Sequence, residues 1–322
     1  MKPMFSTFVN SLAVLAICAL VGIIGRMSKI INDQTDQSMS ALIVNFTLPA
    51  TIFAAMTMQP FSYQLLLESL TTLLIMAAIF FLGFFIATII ARLLKAKHSE
   101  KRIWQFSIMF PNVVYMGFPV ISAVFGEEGM IHASMSAMIF NILVFTFGTY
   151  LIKNSLNERK KGNKTPITAH NIRKILFTPT LVAIYIGVVF FIFNIGLPTP
   201  ISSAISLFGG MTTPLAMLLI GSLLAKYISQ LGFVKMFGDW RIYVLALARL
   251  AAVPLSAYFT LMHLINPDTL GVIITLSAMP TAAITVVLTQ NHKADTASAL
   301  KIVVVSDIIC LATIPLISLL FG

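Results

Sequence analysis

Charged residues are scarce in this sequence. Asp, Glu, Lys and Arg together make up 10% of the 322 residues, whereas soluble domains carry about a quarter. The mean hydropathy is +0.95, and long apolar runs alternate with short polar segments. This composition excludes an ordinary soluble domain and predicts an integral membrane protein.

Cysteine and catalytic motifs are nearly absent as well. Cys18 and Cys310 lie in separate apolar runs without metal-ligand spacing, which predicts small buried apolar side chains. The sequence contains no HExxH motif, no phosphate-binding glycine loop with lysine and no nucleophile elbow. We therefore expect no enzyme activity, no catalytic residue, no metal site and no cofactor.

Apolar runs that are long enough to cross a bilayer recur along the whole chain. A spanning helix needs roughly 20 mostly apolar residues. Ten segments are predicted to meet this requirement: 6–28, 38–58, 66–94, 102–125, 130–152, 172–195, 201–224, 242–264, 270–290 and 298–321. The predicted fold class is an all-α integral membrane protein with ten transmembrane helices.

The basic residues are distributed unevenly among the loops. If the N-terminus is outside, all of the 21 lysines and arginines except Lys2 and Arg249 fall on the inner side. Because Lys and Arg accumulate in cytoplasmic loops, we predict that both termini are outside and that the basic linker 153–171 is cytoplasmic. The net charge of +10 then reflects topology and contact with anionic lipid, and no nucleic-acid partner is expected.

The linker divides the chain into two sets of five helices, in residues 1–152 and 172–322. Because five is odd, the second set must enter the membrane with the opposite orientation, as an inverted repeat requires. The fourth helix contains "FPNVVYMGFP", residues 110–119, and the ninth contains "MPTAAITVV". A proline inside a helix removes a backbone donor and clashes with the preceding turn. Paired breaks in helices 4 and 9 predict a binding site where the two helices cross.

The predicted site favours an anion. Each helix that begins after a break directs free N–H groups and a positive dipole end at the crossing. Asn112 adds an amide, Gly117 allows close backbone approach, and Thr281 adds a hydroxyl. The alternative is a pair of simple proline kinks. The substrate-binding residues predicted around the breaks are Pro111, Asn112, Tyr115, Gly117, Pro280 and Thr281.

Arg249 and Asp307 lie deep within predicted helices. At 1.5 Å per residue, their depths differ by roughly 3 Å, so that they could form a buried ion pair. Alternatively, Asp307 takes up a coupling proton, or Arg249 balances the substrate carboxylate. An Asp beside an Arg stays charged, which argues against proton uptake.

Four motifs together resemble the auxin efflux carrier family. They are "LP" in the second helix, "FPNVVYMGFPV" in the fourth, "SAMPTAAITVVLTQNHKAD" in the ninth and "SDIICLATIPLISLL" in the tenth. The resemblance covers essentially the whole chain. It is closest to the short bacterial members, the malate or malonate permeases, because the long central loop of many plant members is absent.

The resemblance implies the crossed-helix fold of bile-acid sodium symporters and a sodium/proton antiporter. Helices 1, 2, 6 and 7 would form a scaffold that dimerises, and helices 3–5 and 8–10 a mobile transport domain. Asn45 and Pro49 match positions that face the substrate site in such proteins.

The function that the resemblance implies is secondary transport of small organic anions across the cell membrane by an elevator-type movement. Malate, malonate and auxin-like acids are the expected substrates, with a proton or sodium as possible coupling ion. An uncoupled channel or facilitator is the alternative.

Overall fold

The computed structural model describes residues 2–58, 60–155, 176–232 and 236–320. Within these residues the regular secondary structure is helical, apart from one isolated antiparallel bridge between Pro111 and Thr281. Most of the predicted linker 153–171 lies outside the described residues.

The described α-helices are numbered in chain order. Their bounds are α1 (Lys2–Met27), α2 (Asp33–Leu42), α3 (Leu48–Thr57), α4 (Tyr63–Leu93), α5 (His98–Met109), α6 (Phe118–Leu143), α7 (Thr149–Asn154), α8 (Pro179–Ile192), α9 (Thr199–Gly210), α10 (Thr212–Leu231), α11 (Trp240–Leu247), α12 (Val253–Leu261), α13 (Pro267–Ser277), α14 (Ile284–Asn291) and α15 (Thr296–Ser318). Five-residue π-helical turns adjoin several of these helices, at Ile43–Thr47, Val113–Gly117, Val144–Gly148 and Ala248–Ala252.

In the described part of the chain, 7 helical segments are long and apolar enough to cross a membrane. This confirms the prediction of an all-α, multi-pass membrane protein. The count of ten spans stays a prediction, because some expected spans are divided into shorter helices. The fourth expected span ends its first helix at Met109, and the ninth is divided between α13 and α14.

Helix α6 changes direction at Gly126. Its φ of 62° and ψ of −152° lie outside helical geometry, and a positive φ is readily adopted only by glycine. A Cβ added there would meet nothing within 4 Å, so the requirement comes from the backbone alone. The bend falls where the sequence predicts the connection between the fourth and fifth spans.

Several helix pairs pack closely against one another. Helix α1 packs along α10, and α3 packs against α8 and α9, whereas α4 packs against α5 and α6. The α1–α10 crossing is close because each helix contributes a glycine. A Cβ on Gly22 would lie 2.2 Å from the Leu218 carbonyl oxygen, and one on Gly221 would lie 1.8 Å from that of Ala19. Small residues permit such approach between membrane helices.

Candidate functional site

The chain leaves helical geometry after α5 and again between α13 and α14, and the two interruptions meet. Phe110 is extended, with φ −107° and ψ 105°. The Asn112 N–H donates to the Pro280 carbonyl at 2.7 Å, and the Ala282 N–H donates to the Phe110 carbonyl at 3.0 Å. These bonds form the antiparallel bridge between Pro111 and Thr281. Each interruption therefore supplies hydrogen-bond partners for backbone groups that the other leaves free.

Thr281 anchors the second interruption. Its N–H donates to the Ser306 Oγ at 3.1 Å, and its hydroxyl donates to the Ser107 carbonyl at 3.1 Å. The residue is fully buried. Its hydroxyl is therefore engaged with the protein backbone, in contrast to the free hydroxyl that the sequence predicts beside the break.

Arg249 is fully buried and its guanidinium bonds to the ends of two helices. Nη1 donates to the Ile108 carbonyl at 2.7 Å, Nε donates to that of Met279 at 3.1 Å, and Nη2 donates to that of Ser277. The last carbonyls of a helix have no partner within it. One positive charge thus lies against the negative dipole ends of both α5 and α13.

The expected pairing of Arg249 with Asp307 is absent from the described residues. The guanidinium is directed at backbone carbonyls, and no ion pair joins the two side chains. The Asp307 Oδ1 is buried and has no hydrogen-bond partner in the described part of the chain. The sequence predicts similar depths in the membrane for the two residues, but depth does not determine the direction in which each helix points its side chains.

A cavity of about 120 Å³ lies beside the crossing. Both helical segments that follow the interruptions begin at its wall, through Asn112 in one and Ala283 in the other. No charged side chain of the described residues lines it. Polar atoms come from Asn112, Tyr115, Asn141, Thr178 and Thr180, and the remaining lining is Val44, Leu48, Val114, Phe140, Phe145, Ala282, Ala283 and Ile284.

Asn112 and Tyr115 are the predicted site residues that line this cavity. The Asn112 Oδ1 accepts from the Tyr115 N–H at 3.3 Å and caps the π-helical turn. Its Nδ2 makes no hydrogen bond within the described residues, which leaves an amide donor for a ligand. The Tyr115 hydroxyl lies 3.0 Å from the Ser40 Oγ and so joins the second span to the fourth.

The other predicted site residues do not line the cavity. Pro111 and Pro280 form the bridge and do not line the cavity. Gly117 packs tightly, since a Cβ there would lie 3.0 Å from the Leu276 Cδ2. Asn45 is exposed and donates to the Ala41 carbonyl at 2.8 Å. Neither Asn45 nor Pro49 lines the cavity.

Asn141 and Thr178 line the cavity, but the sequence analysis does not include them. Asn141 is an amide within an apolar span, which is the sort of pattern that could have identified it. Thr178 directly precedes the proline that begins α8, and its Oγ1 is buried without a partner among the described residues. Only the folded chain brings these residues beside Asn112.

A second cavity, of about 270 Å³, follows the first along the same pair of helices. Leu48 of α3 lines the first cavity, and Thr51 and Ala55 of the same helix line the second. On the opposite wall, Tyr115 lines the first cavity and Ser122 the second. The two cavities are therefore arranged in sequence between α3 and the helix that continues from the first interruption.

Broken helices around a cavity at membrane depth are features of a membrane transporter. The sequence profile described as "Membrane transport protein" matches residues 7–318. The chain belongs to this membrane transport family of the auxin efflux carrier type, which confirms the resemblance found in the sequence.

The similar proteins are also transporters by name. An uncharacterized transporter, MJ1031 of Methanocaldococcus jannaschii, is 26% identical over 286 residues, which are 88% of each chain. The uncharacterized transporter YfdV of Escherichia coli K12 is 20% identical over 190 residues, or 57% of this chain and 59% of that protein. An uncharacterized transporter of Methanothermobacter thermautotrophicus is 22% identical over 210 residues, or 64% of each chain.

Proposed function

We propose that this protein is a secondary transporter of small organic anions and that it binds them in the 120 Å³ cavity. The observation that carries the proposal is the charge arrangement at the crossing. Arg249 covers the negative ends of α5 and α13, while the positive ends of the segments that follow open at the cavity. Each helix N-terminus carries roughly +0.5 elementary charge, so that two together match one carboxylate.

The size of the cavity favours short carboxylates over auxin-like acids. An apolar protein cavity of about 150 Å³ holds one benzene molecule, and the present cavity is about 120 Å³. Malonate, lactate and malate therefore fit better than indole acetate, whose fused rings exceed benzene in size. The Nδ2 of Asn112 would donate to the carboxylate, and the hydroxyl of Thr178 would contact its polar substituents.

The transport movement we propose is an elevator-type displacement within a ten-helix, 5+5 inverted repeat of residues 1–152 and 172–322. The scaffold would contain α1–α3 and α8–α10, and the transport domain α4–α7 and α11–α15. Packing of α1 on α10 and of α3 on α8 and α9 supports this grouping. The two successive cavities along α3 support a path that opens alternately at its two ends.

The site would be tested in proteoliposomes loaded with unlabelled malate. Uptake of labelled malate by counterflow would be measured, with malonate, lactate, succinate and indole acetate as competitors. Asn112→Ala should lower uptake at least about tenfold, because it removes a donor to a charged group and such a bond contributes about 1.5–3 kcal/mol. Asn45→Ala removes the same amide from an exposed position and should leave uptake unchanged.

Each result has a distinct meaning. Saturable counterflow identifies a carrier, whereas flux that neither saturates nor shows counterflow identifies the uncoupled channel or facilitator. Equal uptake by Asn112→Ala and the parent protein would remove Asn112 from the site. Stronger competition by indole acetate than by malonate would contradict the argument from cavity size.

The coupling ion, the dimer and the orientation are further parts of the proposal. Asp307 is the candidate for proton or sodium coupling, because its Oδ1 is buried without a partner in the described residues. Asp307→Asn should abolish any stimulation of uptake by a proton or sodium gradient while preserving counterflow. We also propose a homodimer through the scaffold, with both termini outside the cell membrane and the linker 153–171 inside.

A further inference from the structure

A groove of about 450 Å³ lies between α4 and α5, away from the crossing. One end is apolar and includes Phe84, Phe85 and Ile89. The other end carries three basic side chains, from Arg92, Lys101 and Arg102. The proposed anion transport makes no use of this groove.

The three basic residues have no acidic partner in the part of the chain that the structure describes. No carboxylate lines the groove, and none of the three takes part in a salt bridge within the described residues. The nearby Glu100 instead faces the Arg241 guanidinium, at 3.4 Å between Oε1 and Nη2. The groove therefore keeps a concentrated positive charge that an anionic ligand can neutralise.

Arg102 is held in place by a chain of hydrogen bonds. The Thr88 hydroxyl donates to the Phe84 carbonyl at 2.8 Å and accepts from the Gln105 Nε2 at 2.7 Å. The Gln105 Oε1 then accepts from the Arg102 Nη1 at 3.2 Å. Gln105 is 1% exposed, so this support is inside the protein. The Arg102 Nε is buried without an acceptor in the described part of the chain.

The apolar wall continues the groove along the lipid-facing side of α4. Phe85 and Ile89 are 60% and 56% exposed. With Arg92 they occupy positions i, i+4 and i+7, which lie on one face of a helix. An acyl chain can lie along the two apolar side chains while Arg92 reaches a headgroup at the helix end. A free inorganic anion would leave the apolar wall without a partner.

We propose that this groove binds one anionic phospholipid. Its phosphate would accept hydrogen bonds from Arg92, Lys101 and Arg102, and one of its acyl chains would cover Phe85 and Ile89. Basic pockets between membrane helices favour anionic headgroups. The groove matches both parts of such a lipid. The fixed guanidinium and the two further cations match the anionic headgroup, and the adjoining apolar wall matches an acyl chain.

Native mass spectrometry of the purified protein would test the proposal. The protein would be mixed with phosphatidylglycerol and phosphatidylcholine of equal chain length, and the lipid retained on the protein would be counted. Neutralising Arg92, Lys101 and Arg102 together, by R92Q, K101Q and R102Q, should reduce the preference for phosphatidylglycerol at least about fivefold, since one basic residue near an anionic lipid contributes about that factor.

The matched control neutralises three lysines that do not line the groove, by K29Q, K293Q and K301Q. This variant should keep the preference. Equal loss in the two triple variants would mean that overall charge attracts the lipid, and it would overturn the proposal. Displacement of phosphatidylglycerol from the unaltered protein by millimolar inorganic phosphate would assign the groove to free phosphate instead, which also overturns it.

A second measurement does not depend on the stability of the triple variant. Phe85→Trp places a fluorescent ring on the apolar wall, and the signal of the protein with unaltered Phe85 would be subtracted. Phosphatidylglycerol brominated on its acyl chains should quench this fluorescence more strongly than brominated phosphatidylcholine at the same mole fraction. Equal quenching by the two lipids would show that the wall contacts only bulk lipid.

Discussion

Replacing Arg249 with methionine should destabilise the protein more than any other single change at the crossing. The side chain is fully buried and bonds to three backbone carbonyls at the ends of two helices. Methionine fills a similar volume but donates nothing, so all three carbonyls lose their partner. A buried polar group without a partner costs about 1–3 kcal/mol. The expected loss is therefore about 3–9 kcal/mol, against a typical total stability of about 5–15 kcal/mol.

The assay is thermal unfolding of the purified protein in detergent, followed by tryptophan fluorescence and by size-exclusion chromatography. Arg249→Met should lower Tm by at least about 6 °C, because 1 kcal/mol corresponds to about 2–4 °C in a chain of this general size. The Tm of Arg249→Lys should lie between those of Arg249→Met and the unaltered protein. One ammonium keeps the charge but cannot reach carbonyls on both helices at once.

Arg241→Met is the matched control. This guanidinium is 31% exposed and pairs with Asp239 and Glu100 near the surface, where such pairs contribute about 0–1 kcal/mol. A Tm for Arg249→Met within about 2 °C of the unaltered protein would refute the reasoning. A Tm for Arg249→Lys equal to that of the unaltered protein would show that charge alone, and not the number of hydrogen bonds, stabilises the crossing.

Three further predictions use the same unfolding assay. Gly221→Leu should prevent the close α1–α10 packing, because even a Cβ would lie 1.8 Å from a backbone oxygen. Thr72→Val should cost about 1–3 kcal/mol, because the buried His132 Nδ1 loses its partner at 2.9 Å. Burial raises the pKa of Asp239, but hydrogen bonds from Arg241 outweigh burial and the net pKa is lowered. Asp239→Asn should therefore reduce stability near neutral pH, with the difference vanishing as the pH falls below about 4.

Each of these predictions has its own control. Gly210→Leu adds the same side chain where nothing lies within 4 Å of a Cβ, and it should be tolerated. Thr71→Val alters the exposed neighbour of Thr72 and should have little effect. For Asp239→Asn, a stability difference that is the same at every pH would mean that the carboxylate charge plays no part.

Proline positions predict much of the crossing from sequence because a missing N–H and a ring clash are local properties. Pro111 and Pro280 do lie where the helices stop. The sequence could not indicate that the freed carbonyls would bond to Arg249, since that depends on how α11 and α12 are rotated against α5 and α13. Side-chain orientation also explains why Asn45 does not line the cavity, because its amide donates to the Ala41 carbonyl of the preceding turn.

The lining of the cavity was harder to predict than the breaks. Asn112 follows Pro111 directly and Tyr115 lies in the turn that comes next, so that their chain position alone brings them to the wall. Asn141 and Thr178 reach the same wall from separate helices. Their approach is set by helix packing, and no local pattern in a single sequence encodes it.

The bridge between Pro111 and Thr281 has a consequence for biosynthesis. Its two residues are separated by more than half of the chain, so the first is inserted into the membrane long before the second is made. Until then the Phe110 carbonyl and the Asn112 N–H have no backbone partner from the second break, and unpaired backbone groups are costly in lipid. The first half of the molecule should therefore not reach its final fold, or should stay bound to the insertion machinery, until the ninth span is inserted and forms the bridge.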